Sequence, residues 1–143
     1  MSDKIILGVL EVCDLPEFNI HNLHVRVDSG AATSSLHVDN IEEFEYNNEQ
    51  WVKFDIHPDI HDVSKIVRKE AKIIDTRSIK SSNGTIQKRH VIETLFSIAE
   101  TQWPIHISIT DRSSMSYLML LGRQAMAGKI IIDPEFEYML GGN

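Results

Sequence analysis

Apolar and polar residues alternate with a period of two along most of this 143-residue chain, and no stretch carries the 3.6-residue period of a long amphipathic helix. That alternation sends one face of an extended strand into a core and the other into solvent, so an all-β fold is expected. Runs rich in β-branched and aromatic residues predict strands over 4–12, 23–27, 34–38, 51–56, 66–79, 85–98, 103–110, 117–121 and 129–132. Asn83-Gly84, between the two longest runs, is the strongest hairpin signal, because both residues tolerate the positive φ of a tight primed turn. One short helix is expected at Arg123-Gln124-Ala125-Met126-Ala127, where good helix formers are closed by Gly128. Residues 42–50 are polar enough to read as a loop, and 41–61 as a whole find no clear place in this pattern.

A hydrophobic content of 42% supplies one ordinary core and too little for two, so residues 1–143 read as a single domain. Charged residues interrupt every apolar run before it reaches the roughly 18 residues of a membrane span, and no leader segment is legible at the start. With Cys13 as the sole cysteine no intrachain disulfide can form, and its apolar neighbours predict a buried thiol. These features together predict a soluble, cytoplasmic protein without a membrane partner. The net charge of −7 is unevenly spread: between 65 and 89, eight cations face only Glu70 and Asp75, a local balance of +6. A basic island in an acidic chain argues against nucleic-acid binding, which needs a broad positive footprint, but suits the steering of a small acidic substrate. A solvated hairpin whose charges blunt a sheet edge is the plainer explanation.

The chemistry concentrates at Val25-Arg26-Val27-Asp28-Ser29-Gly30-Ala31, where an apolar strand delivers a carboxylate to a sharp turn. An Asp-[Ser/Thr]-Gly triplet arises by chance in on the order of one such chain in fifteen, and alone it also fits a plain Asx turn. Nearly a hundred residues later, Met119-Leu120-Leu121-Gly122-Arg123 runs from an apolar strand through Gly-Arg into the short helix. The two together, with a Gly-containing hairpin between them, resemble the retroviral-type (retropepsin-like) aspartic peptidases. Val27 to His37, Thr110-Asp111-Arg112-Ser113 and Leu120 to Met126 are more similar still to a bacterial branch of that fold. That branch is labelled an ATP-dependent zinc protease and is associated with the ligase that adds glutamate tails to a ribosomal protein. The likeness covers almost the whole chain.

The resemblance implies a closed β-barrel-like acid-protease fold acting as a homodimer. Asp28 is then the catalytic carboxylate, Ser29 joins the two active-site loops across a dimer axis, and Gly30, with Ala31 beside it, lets the substrate backbone approach. Gly122 packs behind the turn. The hairpin tip Ser81-Ser82-Asn83-Gly84 becomes a flap over the substrate. Retroviral enzymes commonly place an acidic residue two positions after the motif Gly, beside the Arg of Gly-Arg; Ala32 stands there in this chain, so Arg123 requires another partner. Two carboxylates about 3 Å apart cannot both ionise, so one polarises the carbonyl while the other activates water. This chain has one Asp-Ser-Gly, and Asp75-Thr76 is followed by Arg77, so a two-fold dimer is the simple way to assemble the pair. Arg77, Lys80, Lys88 and Arg89 on the hairpin are the candidates for holding a glutamate-rich substrate.

No cofactor is expected. His57-Pro58-Asp59-Ile60-His61 has two His at helical metal spacing, but Pro58 occupies the place of a zincin's general base and disfavours the helix. Gly122 to Lys129 misses the phosphate-loop spacing and lacks its Ser or Thr. The remaining His residues, His37 among them, share no ligand spacing. A binding module that recognises acidic tails without cutting them, and a metal-dependent hydrolase built on His57 and His61, are the alternatives.

Overall fold

The structure is a computed structural model that describes residues 3–59, 62, 64–80, 83–111 and 117–140. Among these residues eleven strands, a 3-10 turn (Pro16–Phe18, between β2 and β3) and one α-helical turn follow in order: β1 (Ile5–Leu7), β2 (Leu10–Leu15), β3 (Ile20–Val27), β4 (Ser34–Tyr46), β5 (Glu49–Ile56), β6 (Val67–Lys72), β7 (Asp75–Lys80), β8 (Ile86–Ile98), β9 (Thr101–Asp111), β10 (Met119–Leu121), α1 (Arg123–Met126) and β11 (Ile130–Ile132). The chain is thus all-β with one short helix near its C-terminal end, as its periodicity predicts. Pairing runs β10-β3-β2-β8-β9-β4, and β10 also pairs with β4, so six strands return upon themselves as a barrel-like ring. The ring is thinnest where β2 meets β8, through Asp14↔Ser97 alone. One contiguous core fills it, including Leu23, Val25, Leu36, Ile92, Phe96, Ile107, Met119 and Leu121. Each such side chain, fully buried, is worth about 1.5–3 kcal/mol. Cys13 is buried there with its Sγ 3.9 Å from Met119 Sδ, and burial pushes its thiol pKa up.

Four segments depart from the pattern read along the chain. Residues 42–50 form a hairpin rather than a loop: Tyr46 pairs with Glu49 around Asn47 and Asn48, whose φ values of 52° and 62° make a primed turn. Its polarity misleads because this outer end is wet on both faces. Phe44, Tyr46 and Trp51 pack on one another there instead. The run 66–79 is two strands. Ile73 donates its N–H to Gln50 and Ile74 to Val91, each at 2.9 Å, so the chain changes partner from β5 to β8 between adjacent residues. Gly8, whose Cα lies so close to Phe136 that a Cβ would fall 2.3 Å from its carbonyl oxygen, separates β1 from β2 within the run 4–12. Finally, the β7–β8 ladder ends at Lys80↔Ile86, so Asn83-Gly84 lies inside a longer connection. Gly84 has φ 88°; Ser81 and Ser82 lie outside the described residues.

The partner change at Ile73-Ile74 also divides the basic island. Lys65, Arg68, Lys69 and Lys72 belong to β6 or the segment before it, which pairs with β5 away from the hairpin. Lys65 lies 3.6 Å from Asp59, Arg68 bridges Glu42 at 3.3 Å and Asp55 at 2.8 Å, and Lys72 bridges Glu49. Only Arg77, Lys80, Lys88 and Arg89 ride on the hairpin itself.

Two buried carboxylates fasten the periphery. Glu11, fully buried, accepts N–H bonds from Gly8 (2.7 Å), Met139 (3.0 Å) and Leu140 (3.3 Å), tying the C-terminal segment to β2. Asp55 accepts from Asn40 at 2.7 Å and from Arg68 at 2.8 Å, and these bonds hold its carboxyl below the ordinary value of 3.8. Because the folded value is the lower one, this stabilisation is present above the unfolded value and is lost as pH falls through the folded one. Thermal melts are therefore expected to show a decline below about pH 4 that Asp55→Asn flattens. An identical acid limb in both proteins contradicts this. Among the described residues no helix is long and apolar enough to cross a membrane.

Candidate active site

Asp28 follows directly on β3, and its position is fixed from both sides. Val27 donates to Val9 O and Asp28 to Leu121 O, each at 2.9 Å. β10 lies between β3 and β4, parallel to the first and antiparallel to the second, so Leu121 comes level with Val27. Gly30 N–H then donates to Asp28 Oδ1 at 2.9 Å and Ala31 N–H to Asp28 O at 3.3 Å. The motif is therefore an Asx turn as well as the seat of a carboxylate; the two readings describe one object. Asp28 is half-buried, Ser29 and Gly30 are exposed, and Ala31 is half-buried beside them.

A second layer holds the turn in shape. Arg123 N–H donates to Ala31 O at 2.8 Å, Gln124 N–H to Ala32 O at 3.1 Å, and Gly122 N–H to Ser34 Oγ at 3.0 Å. The partner that Ala32 cannot provide for Arg123 is the turn's own backbone: Nη1 donates to Ser29 O and Gly30 O, both at 3.2 Å. A charged donor on two carbonyls fixes the peptide planes flanking the carboxylate without needing an acidic side chain. Gly122 is required by close approach, since a Cβ would meet Thr33 C at 2.7 Å and Ser34 N at 2.9 Å, both backbone atoms. Gly122→Ala is expected to cost about 1–3 kcal/mol of stability by overpacking. Its activity should fall further than an equally destabilising core substitution elsewhere, which paired denaturation and rate measurements would show.

The β7–β8 hairpin stands over this turn. Arg77 Nε donates to Asp75 Oδ2 at 2.9 Å, while Nη1 donates to Thr33 Oγ1 at 3.2 Å and Gln124 Oε1 at 3.3 Å. It links the hairpin stem to the chain just past Asp28. In the register Arg77 opposes Arg89 and Ser78 opposes Lys88, so Arg77 and Arg89 share one face and Lys80 and Lys88 the other. Lys80, Lys88, Asn83 and Gly84 are exposed.

His37 had no motif to single it out, yet its Nδ1 is buried without a hydrogen-bond partner beside Arg89. Only the β4–β9 pairing brings it there. His57 is buried and lies against Asp39, while His61 falls outside the described residues. Among the described residues no group of three or more His, Cys, Asp or Glu is placed to hold a metal ion.

Known proteins with the same pattern carry this geometry further. A solved structure of a protein of unknown function from Legionella pneumophila superposes with a TM-score of 0.81, covering 97% of this chain and all of that one at 24% identity, which establishes the shared fold. Two proteins named "Probable alpha-L-glutamate ligase" are similar in sequence. That of Parasynechococcus marenigrum is 41% identical over 99% of this chain, and that of Shewanella halifaxensis is 45% identical over 99%. The chain spans only 30% and 31% of their respective lengths. Residues 6–141 match the RimB-like family, described as "Retropepsin-like aspartic endopeptidase RimB". With the Asp-Ser-Gly turn, the Gly-Arg support behind it and the retropepsin-like fold all in one chain, this protein belongs to the RimB-like family of retropepsin-like proteins.

Proposed function

We propose that this protein is an aspartic-type peptidase that acts as a homodimer on acidic, glutamate-rich peptides, with Asp28 as its catalytic carboxylate. The observation that carries the reading is the Asp28 turn: a half-buried carboxylate braced by Gly30, Leu121 and Arg123, with Ser29 and Gly30 open beside it. An aspartic mechanism needs two such groups sharing a proton, with titrations that belong to the pair. One chain brings one, so a second copy across a two-fold axis completes the site. An apolar recess of about 480 Å³ lined by Ser29, Met126, Ala127, Ile130 and Ile132 adjoins the turn and offers that copy a surface.

Cleavage then proceeds by attack of a water, deprotonated by one Asp28 carboxylate, on a scissile carbonyl that the protonated Asp28 of the second copy polarises. The tetrahedral intermediate collapses as the amide nitrogen takes up a proton and leaves. The acidic preference is supported by the hairpin cations Arg77, Lys80, Lys88 and Arg89 and by the glutamate-ligase names of longer relatives. Incubation with a peptide ending in α-linked glutamates, followed by mass spectrometry, is expected to show shortened tails. Binding without shortening would favour a recognition module instead.

A further inference from the structure

The β8–β9 ladder stops at Val91↔Ser108, although β8 begins at Ile86 and β9 continues to Asp111. Beyond that pair β8 is held by β7 on its other side, and the two strands part into a wedge of about 790 Å³. His37, Lys88, Arg89, His90, Thr110 and Asp111 are among the residues that line it. His37 and Thr110 are direct partners across β4–β9 and so share a face. Arg89 opposes Arg77, which reaches Thr33 next to the catalytic turn. The wedge therefore continues the surface that leads away from Asp28.

Two of its polar groups, Arg89 and His37, are left to meet a ligand in a chemically specific way. His90 is engaged by Glu43, but among the described residues Arg89 donates only to the neutral Gln87 Oε1, at 3.1 Å and 3.4 Å. Asp111, the carboxylate in this set, is exposed. His37 has its pKa lowered below 6.5 by burial and then by the Arg89 charge, against a hydrogen bond to the Asp111 backbone. Near neutral pH the ring is uncharged, and with one nitrogen's N–H on that carbonyl the other, Nδ1, is a bare lone pair. A buried lone pair without a partner calls for an N–H donor, and the neighbouring guanidinium calls for an anion.

We propose that this wedge is a distal subsite reading one acidic residue of an extended tail, its main-chain N–H accepted by His37 Nδ1 and its side-chain carboxylate held by Arg89. The inference rests on the acidic-peptide reading above.

Fluorescence anisotropy of α-linked hexaglutamate on Asp28→Asn protein tests it, because binding is read without turnover. Each glutamate is replaced in turn by glutamine, and separately each amide by its N-methyl form. One position is expected at which both changes weaken binding about tenfold, as for a lost hydrogen bond to a charged group. Arg89→Met should erase the glutamine sensitivity and leave the N-methyl sensitivity, and His37→Phe the reverse. If Arg89→Met melts early, Arg89→Gln carries the same test by removing the charge and reducing the glutamine sensitivity. Both sensitivities surviving in the variants, falling at different positions, or absent because hexaglutamate does not bind, would overturn the subsite. Position-specific binding by a wild type that cleaves nothing would uphold the subsite and sink the peptidase reading.

Discussion

Asp28→Asn is expected to abolish cleavage and, when mixed with wild type, to poison it. Removing a group that transfers a proton in the transition state costs about 10²–10⁴-fold, and an amide can neither deprotonate water nor share the proton of its twin. Fold and stability should be retained, because the asparagine side-chain oxygen can still accept the Gly30 N–H that Asp28 Oδ1 accepts at 2.9 Å. The mixing experiment is the more telling. In a shared site, equimolar wild type and variant, once exchanged, leave roughly one quarter of the dimers with two intact carboxylates where about half were wild-type dimers before exchange, so activity should fall to about half of its starting total. No fall on exchange means that each chain works alone and removes the two-fold site. Residual turnover by pure Asp28→Asn would move catalysis to another residue.

Ile131→Asp is expected to separate the chains. Ile6 and Ile131 are direct partners in the parallel β1–β11 pair, and they are 49% and 51% exposed. Ile130 and Ile132, on the opposite side of the same strand, line the recess beside Ser29. In the proposed dimer this exposed apolar pair, on the strand whose other side lines the recess beside Ser29, is the contact offered to the second copy. A charge buried at the centre of such a contact weakens association by about 2–4 kcal/mol, or on the order of 30- to 1000-fold in dimer Kd. Because the side chain is already half in solvent, the melting temperature should hardly move. Sedimentation should show a shift to monomer, and activity should recover with rising protein concentration. A variant that stays dimeric, or a monomer that cleaves at full rate, would place the interface elsewhere.

The candidate site was legible to different depths. Asp28-Ser29-Gly30 and Gly122-Arg123 could be read because each is a contiguous run whose residue types are forced by a turn or a close approach. The Gly122 contact with Thr33 and Ser34 shows that force directly. The role of Arg123 could not be read, because its partners are the carbonyls of Ser29 and Gly30, which any sequence possesses. His37 was hidden for a related reason. Its neighbours Arg89 and Thr110 lie 52 and 73 residues away and meet it only through pairings among β4, β8 and β9.

Period-two alternation by itself determined that this chain would be built of strands, because a strand with one wet and one dry face admits no other pattern. Local residue types determined the short helix, through the helix formers 123–127 closed by Gly128, and the place of the Asp28-Ser29-Gly30 turn. Tertiary structure alone decided which strand pairs with which. Hydrogen bonding between strands is made by backbone groups common to all residues, and so leaves little trace in side-chain order. Hence the switch at Ile73-Ile74 from β5 to β8 divided one apparent strand and drew four cations away from the hairpin, while β4–β5 pairing around Asn47-Asn48 made the polar stretch 42–50 a hairpin. The same non-local pairing threaded β10 between β3 and β4 and thereby set Gly122 and Arg123 behind Asp28.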